Sequence, residues 1–214
     1  MTRYRSAGWL GLTLFFCVSW FVPVSSSEEI SEGWHLNKES AGIKVYGRPK
    51  PDSEREDIRS VMTLDMPMSG LESLLEDVEN SHRWMHLLEE VKVFTEPASG
   101  ETFYYFHWDV PWPFDDRDAV CARHEVREAE SGRLSFKYTP APDAYPAKKK
   151  RVRLRTFECL WQLEPVGEDK VKVINQLTFP GQGALPSSFV NWINTKISLR
   201  TMQSLRTYVM KQKT

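Results

Sequence analysis

The chain has 214 residues, of which 41% are hydrophobic and 27% are charged, and its net charge is −1. This balance is that of a globular protein and excludes a disordered or wholly membrane-embedded chain. The absence of excess positive charge gives no reason to expect a nucleic-acid partner. The length suits a leader followed by one domain, or at most two small domains.

The first 26 residues are predicted to be a secretory signal peptide. Arg3 and Arg5 precede an uncharged, mostly apolar run over residues 7–22, and a small, polar stretch follows over residues 24–27. The apolar run is short for a membrane-spanning helix, which needs roughly 17–25 residues, although an uncleaved anchor is the alternative interpretation. We therefore expect an exported protein, periplasmic or secreted, whose single domain spans residues 27–214.

Hairpin, strand and helix signals follow one another at the start of the predicted domain. Residues 34–47 predict a hairpin with its turn at Ser40-Ala41-Gly42, and residues 58–64 predict the next strand. A helix should follow, because Ser69 and Glu72 have the spacing of a capping box and leucines recur at helical intervals.

From Val91 onward the hydrophobic period is two, after a last helical turn predicted over residues 84–88. Short turn sequences such as Ala98-Ser99-Gly100 separate the predicted strands. These strands are expected over residues 91–94, 102–110, 119–126, 134–138, 152–163 and 171–179. Closely spaced strands joined by short turns imply an antiparallel sheet.

The last element is a long helix with an apolar face over residues 190–209, which must pack against the sheet. A Gly- and Pro-rich stretch precedes it, and its Gly181 and Gly183 either hinge the helix as part of a lid or form an ordinary tight loop. The fold class is therefore α+β. A curved antiparallel sheet wraps around one long C-terminal helix, and the space between the two can hold an apolar cavity.

Three stretches of the sequence together resemble the StAR-related lipid-transfer domain, usually called START. The first is YFHWDVPWPFDDRD over residues 105–118, followed by AVCAR, which ends at Arg123. The second is VRLRTFECLW over residues 152–161, and the third is FPGQGALPSSFVNW over residues 179–192. The resemblance covers about residues 34–209. It implies the helix-grip fold and an activity of binding lipids, sterols or related apolar molecules without covalent chemistry.

Arg123 is the leading candidate for ligand binding. The resemblance implies that an arginine at this position points into the cavity and pairs with a carboxylate on the preceding strand. In this sequence His107 occupies that position and Asp109 lies two residues later on the same face, so either is expected to be the partner. A guanidinium can bind a carboxylate or phosphate, or hydrogen-bond a hydroxyl. The alternative is a structural ion pair without a role in binding.

Aromatic residues supply the other candidates. Tyr105 and Trp161 are expected to line the cavity, although aromatic residues in strands also form plain core. Trp112 and Phe114 lie in a loop that two prolines stiffen. This loop is expected to act as a lid or to touch a membrane as an aromatic anchor. The alternative is a turn packed over the core.

One cluster of positive charge is formed by the run Lys148–Arg151 together with Arg153 and Arg155. It either attracts anionic lipid head groups or is a solvated edge that prevents aggregation. Cys121 and Cys159 lie in predicted strands and are expected to be buried small residues, with a disulfide as the alternative in an exported protein.

No catalytic, metal or cofactor motif is evident, since His82 and His86 lack a third ligand. The sequence therefore predicts a non-catalytic monomer that carries or senses one lipid, sterol or similar apolar ligand, with transient membrane contact. Two alternatives stay open. One is an interaction module with a closed cavity, and the other is a helix-grip enzyme of cyclase or hydrolase type that uses His107 and Asp109.

Overall fold

Alternating apolar residues build ten strands that join into one sheet in the computed structural model. The structure describes residues 33–51, 53–112, 114–178 and 186–212, and residues 31–214 belong to one compact unit. The predicted signal peptide (1–26) and the predicted hinge residues Gly181 and Gly183 lie outside the described residues. In chain order the elements are β1 (His35–Ser40), β2 (Ile43–Pro49), β3 (Glu56–Leu64), α1 (Met68–Glu76), a 3₁₀ helix (Val78–Arg83), β4 (Leu88–Thr95), β5 (Thr102–Trp108), β6 (Asp116–Arg127), β7 (Leu134–Pro140), β8 (Arg151–Arg153), β9 (Glu158–Pro165), β10 (Val171–Thr178) and α2 (Ser187–Gln212).

The strand order is β1-β2-β3-β10-β9-β7-β6-β5-β4, and every pair along this path is antiparallel. The exception to the predicted antiparallel sheet is β8, which runs parallel to the start of β6. The single strand predicted over residues 152–163 is wrong. It is two strands, because β8 pairs with β6 whereas β9 lies between β7 and β10.

The hairpin of β1 and β2 turns at the predicted residues. Ala41 and Gly42 both have positive φ, 50° and 72°, and they connect Ser40 directly to Ile43. Two residues with positive φ are typical of the tight turns whose twist matches that of the flanking strands. The predicted hairpin is therefore confirmed.

The helical region between β3 and β4 differs from the prediction. Helix α1 begins after Pro67 and has no side-chain cap hydrogen bond, so the predicted capping box at Ser69 is wrong. Glu72 instead forms an ion pair with Arg127 of β6. The short second helix predicted over residues 84–88 is wrong, because the 3₁₀ helix ends at Arg83. Residues 84–87 form a turn instead, and Leu87 has a φ of 65° immediately before β4.

Helix α2 packs against β1, β2 and β3, and the curved sheet wraps around it in the predicted helix-grip arrangement. Its C-terminal half buries apolar residues, with Met202 and Leu205 fully enclosed. Its N-terminal half instead buries Asn194 and Ser198, whereas Ile193 of the predicted apolar stripe is only partly buried. The two halves of the helix are therefore held to the sheet by different kinds of contact.

The sheet has two faces with separate apolar clusters, since side chains alternate along each strand. Tyr104 and Phe106 of β5 contribute to the main core on the concave face. Phe103 and Tyr105 of the same strand belong to a smaller cluster on the convex face. Residues 141–155 cover this second cluster, because Tyr145 contacts the Tyr105 ring at a centroid distance of 4.7 Å.

A buried ion pair fixes this covering segment to the sheet. Arg153 Nε donates to Asp118 Oδ1 at 2.9 Å and Nη2 donates to Oδ2 at 3.0 Å. The same guanidinium donates to the carbonyl oxygens of Tyr145 (2.9 Å) and Pro146 (3.2 Å). The Asp118 side chain is 1% exposed. A bidentate pair with additional hydrogen bonds is the geometry in which a buried charge is well compensated.

Replacing Arg153 with Met should strongly destabilise the protein, because Asp118 would then be a buried charge without its partner. We expect the free energy of unfolding to fall by about 3–5 kcal/mol, measured by urea denaturation. Arg155→Met is the matched control. Its bidentate partner Asp143 is 82% exposed, so the loss should stay below about 1 kcal/mol. Equal losses in the two variants would contradict the importance of the buried pair.

Candidate functional site

An apolar cavity of about 60 Å³ lies on the concave side of the sheet, under the 3₁₀ helix and α2. Aromatic rings form much of its wall. Trp84 meets Trp161 edge-on at a centroid distance of 5.5 Å, and Trp108 meets Phe157 at 5.3 Å. Trp161 therefore lies where the sequence predicted it, in the lining of the cavity. A wall of interlocking rings favours an apolar occupant.

A few polar groups interrupt this wall. Ser81 Oγ donates to the carbonyl oxygen of Val78 at 2.6 Å, and Asn175 Nδ2 donates to that of Leu160 at 3.3 Å. Trp84 Nε1 is buried and has no hydrogen-bond partner within the described part of the chain. The polar lining is thus mostly occupied by internal hydrogen bonds, which leaves an apolar surface for a ligand.

Two of the groups lining the cavity are weak acids that burial makes weaker still. Desolvation raises the pKa of the Cys159 thiol to about 12, and it also raises the pKa of the Tyr138 phenol. Both groups are therefore neutral at physiological pH. Cys121 is a second buried free thiol, and burial raises its pKa as well. The expectation of buried, unbridged cysteines is confirmed.

Arg123 lies beside the cavity rather than in its lining. It is directly opposite Tyr138 on β7, and its guanidinium carbon is 5.2 Å from the ring centroids of both Tyr104 and Phe136. Its Nη1 atom is buried without a hydrogen-bond partner in the described residues. The two rings compensate part of the buried charge, and the unused donor faces the interior behind the aromatic wall.

The predicted pairing of Arg123 with His107 is wrong, because the two side chains lie on opposite faces of the sheet. His107 is opposite Asp118 in the register, whereas Tyr104 is opposite Cys121, and Arg123 shares the face of Cys121. On the convex face His107 Nε2 lies 2.9 Å from Asp116 Oδ2.

Two more predicted ligand contacts lie away from the cavity. Tyr105 is on the convex face, where its hydroxyl accepts a hydrogen bond of 2.5 Å from Arg151 Nη1. Asp109 is exposed beyond the end of β5, and its backbone N–H donates to the Leu87 carbonyl oxygen at 3.0 Å. Neither residue lines the cavity. Tyr105 points away from the cavity because neighbouring residues of a strand, such as Tyr104 and Tyr105, point to opposite faces of the sheet.

Asp116 shapes the loop between β5 and β6, a role that the sequence analysis missed. Its Oδ1 accepts a hydrogen bond from Val110 N at 3.2 Å, and its Oδ2 contacts His107. The hydrogen bond with His107 lowers the pKa of the Asp116 carboxyl. Arg117 closes the loop further by donating to the backbone carbonyl of Asp115. The sequence signal for this arrangement is the run of acids directly before the strand.

The loop and the start of α2 carry an exposed aromatic surface. Trp112 is 91% exposed and Trp192 is 51% exposed. Between them Phe114 and Phe189 lie 5.9 Å apart, and Phe189 and Trp192 lie 5.7 Å apart. The Lys196 ammonium sits 3.9 Å above the Trp192 ring. Exposed aromatic rings with an adjacent cation are typical of surfaces that contact a membrane interface.

The arginines of the predicted basic cluster form ion pairs, whereas its three lysines, Lys148–Lys150, are exposed and form none within the described part of the chain. Arg151 contacts Glu90 at 3.3 Å, and Arg153 and Arg155 pair with Asp118 and Asp143 as described above. A set of arginines whose charges are already compensated exerts little attraction on a distant anionic surface. The arginines of the run fasten the covering segment, and its exposed lysines remain available to attract an anionic surface.

The cavity reaches towards the surface where the turn after the 3₁₀ helix meets α2. Met85, His86 and Ile197 line the cavity there and are each partly exposed. Arg200 Nη1 donates to His86 Nε2 at 3.4 Å and so bridges the two elements. Burial, and then the Arg200 charge, lower the pKa of His86, which keeps this imidazole neutral near pH 7.

Residues 73–206 match the family model described as polyketide cyclase / dehydrase and lipid transport. The chain belongs to this family. An uncharacterized protein of Pseudomonas aeruginosa is 28% identical over 184 residues, covering 86% of this chain and 90% of that one. START domain-containing protein 10 of mouse is 22% identical over 188 residues, which span 86% of this chain and 64% of the mouse protein.

A STAR-related lipid transfer protein from Xanthomonas axonopodis has a similar crystal structure, with a TM-score of 0.74 and 26% identity. The match covers 84% of this chain and 99% of that structure. The domain is therefore START-like, and its helix-grip fold agrees with the architecture described above. Lipid transport and cyclase activities both occur in the description of the family.

Two further findings concern metal clusters and membrane-spanning helices in the described part of the chain. It contains no cluster of His, Cys, Asp and Glu side chains arranged to hold a metal ion. It also contains no helix with the length and apolar character needed to cross a membrane.

Cys121 and Cys159 should resist alkylation in the folded protein, because the reactive thiolate is scarce when the pKa is far above the pH. We expect neither residue to be labelled by iodoacetamide at pH 7.5 within minutes, and both to be labelled in urea. Peptide mass spectrometry of the full chain reads the two sites separately. Rapid labelling of Cys159 without urea would show that water reaches the cavity wall.

Proposed function

We propose that this protein is a non-catalytic carrier or sensor of a single lipid, sterol or similar apolar ligand, exported as a monomer to the periplasm or beyond the cell. The observation that carries the proposal is the aromatic, mostly non-hydrogen-bonding cavity enclosed between the sheet and α2. Membership of a family that includes lipid transport proteins agrees with it. A cavity of this composition gains binding free energy from removing apolar ligand surface from water.

The groups that were predicted for acid–base catalysis lie away from the cavity, which supports binding rather than catalysis. The hydrogen-bonded pair of His107 and Asp116 would suit acid–base chemistry, but it lies on the convex face and not beside the cavity. Within the wall, Tyr138 and Cys159 are held neutral by burial. The cyclase-type alternative would therefore have to work without the predicted pair of His107 and Asp109.

Loading requires the cavity to expand. Its volume of about 60 Å³ is well below the roughly 300–1,000 Å³ of pockets that enclose drug-sized ligands. Met85 is an adaptable side chain at the partly exposed wall, and the 3.4 Å contact between Arg200 and His86 is weak enough to open. We expect the ligand to separate α2 from the turn after the 3₁₀ helix.

Arg123 would donate its unused Nη1 hydrogen bond to an oxygen atom of the bound ligand. The donor is buried and unpartnered among the described residues, and Tyr138, its cross-strand neighbour, lines the cavity. Satisfying a buried charged donor is worth about 1.5–3 kcal/mol. A ligand with an ester, keto or hydroxyl oxygen would thereby be preferred to a pure hydrocarbon.

The small cavity volume also favours a second candidate, an interaction module whose cavity stays closed. Such a protein would use the exposed aromatic surface around Trp112 and Trp192 to bind a partner protein. It would bind no lipid under any condition, which separates it from the carrier.

Filling the cavity should abolish lipid uptake. Leu177→Trp places a large ring in the lining, and we expect the amount of fluorescent diacylglycerol taken up from vesicles to fall at least tenfold. Ile174→Trp is the matched control, because Ile174 is on the same strand but packs against the convex face. Both changes overpack a partly buried site at a cost of about 1–3 kcal/mol. Equal uptake by the two variants would argue against the cavity as the binding site.

Arg123→Met retains the aliphatic stem and removes the charged donor. We expect the affinity for fluorescent diacylglycerol to fall about tenfold or more, in line with the loss of one charged hydrogen bond. Affinity for a fluorescent hydrocarbon of similar size should not change. A parallel loss for both probes would mean that Arg123 only supports the fold.

The exposed aromatic surface would dock the carrier on membranes while the ligand transfers. Trp112→Ala should therefore lower binding to phospholipid vesicles about tenfold, because a buried aromatic side chain is worth roughly 1.5–3 kcal/mol. The affinity for a soluble fluorescent fatty acid should be unchanged. The control is Leu36→Ala, at another exposed apolar residue (51% exposed). If it lowered vesicle binding as much as Trp112→Ala does, the loop would have no specific role in docking.

A further inference from the structure

A groove with positively charged walls lies on the outer surface where the 3₁₀ helix meets α2. Its volume is about 440 Å³, and Arg83, His86, Arg200 and Lys211 line it together with the hydroxyl groups of Ser204 and Tyr208. The groove contains three permanent cations and no carboxylate in its lining. Hydroxyl donors beside guanidinium groups are the kind of surface that binds carboxylate and phosphate oxygens.

The three cations are not neutralised within the described part of the chain. No carboxylate there lies within ion-pair distance of Arg83, Arg200 or Lys211. This distinguishes the groove from the basic run over residues 148–155, whose arginines are paired. Two acids, Glu89 and Asp109, line an adjoining groove that shares Arg83, His86 and Ser204 with this one. The charged groove is thus a free positive surface.

The groove and the apolar cavity share a wall. His86 lines both, and Arg200 lies on the same helix between the cavity residues Ile197 and Thr201. Arg200 Nη1 contacts His86 Nε2 at 3.4 Å, at the border between the two spaces. A molecule with an apolar tail and a charged head would span this wall, with its tail inside and its head outside.

We propose that the groove binds the anionic head group of the ligand, a carboxylate or phosphate oxyanion, while the apolar tail occupies the cavity. This inference rests on the proposed carrier function and narrows its substrate class to acidic amphipathic lipids. The oxyanion takes over the Arg200 contact from His86, so that binding of the head opens a passage for the tail. Arg83 and Lys211 contact the head from the two sides of the groove.

Solvation explains why the head would prefer the groove to Arg123. An anion beside Arg123 must lose its water completely, which is expensive even when it is paired. In the groove Arg83, Arg200 and Lys211 are exposed, so the head remains hydrated and each pair contributes only modestly to binding. Several such pairs together give a preference of about tenfold, and salt should weaken it.

The test compares dodecanoate with dodecanol, which differ in head charge but share the same tail. Affinities are measured with the full chain at pH 7.5 by displacement of a neutral fluorescent probe. We expect dodecanoate to bind about tenfold more tightly than dodecanol, and the ratio of the two affinities to fall to about one in Arg83→Gln/Arg200→Gln. Lys149→Gln/Lys150→Gln removes two exposed charges elsewhere and should retain the preference, as should Arg123→Met.

Other outcomes would overturn the inference. Equal affinities in the unaltered protein, or a preference that survives Arg83→Gln/Arg200→Gln, would remove the groove from recognition. A preference lost only in Arg123→Met would place the head inside. If calorimetry showed that inorganic phosphate binds, but dodecanoate bound no more tightly than dodecanol, the groove would be a site for free anions and not for lipid head groups. Failure of both dodecanoate and dodecanol to bind would instead refute the carrier function itself.

Discussion

The packing of α2 against the concave face of the sheet is the contact on which the cavity depends. At its C-terminal end the helix buries Met202, Leu205 and Val209, a firmly apolar anchor. Towards its N-terminus the contacts are polar, since Asn191 accepts from Glu56 N at 3.1 Å and donates to the Glu54 carbonyl at 3.0 Å. Hydrogen bonds that water can replace contribute less net stability than buried apolar surface. The N-terminal half is therefore the part of the helix that can move when a ligand enters.

The convex face holds the charged side chains that stabilise the fold, on the side of the sheet opposite to the cavity. Arg153 and Asp118 fasten residues 141–155 over the outer apolar cluster, and Asp116 with His107 fixes the β5–β6 loop. The concave face is left mainly to aromatic and aliphatic side chains, and the Nη1 atom of the partly buried Arg123 has no hydrogen-bond partner among the described residues. The two faces of the sheet thus separate the charged pairs that stabilise the fold from the apolar lining of the cavity.

The fold could be predicted because it depends on patterns that the sequence displays directly. Strand periodicity, the Ala41-Gly42 turn and the long amphipathic helix all correspond to elements of the structure. The site could be predicted only in part. Assigning His107 to the face of Arg123 required the register between β5 and β6, and a shift of one residue moves every side chain to the opposite face. The register pairs His107 with Asp118, and the periodicity of either strand alone does not display this pairing.

The charged groups were harder to assign for a related reason. Arg151 and Arg155 appear in one basic run, yet each has an acid partner distant in sequence, Glu90 and Asp143. The free positive surface is instead assembled from Arg83 and Arg200, which are more than a hundred residues apart. Long-range pairing decides which charges remain available, and a single sequence does not contain that information.

The most direct test of the carrier function is to purify the protein without detergent and analyse it by native mass spectrometry, with extraction of any bound molecule. We expect one lipid per chain, acidic in its head group and released on unfolding. A protein that is empty after purification, and remains empty after incubation with mixed phospholipid vesicles, would contradict the carrier function and favour a closed interaction module.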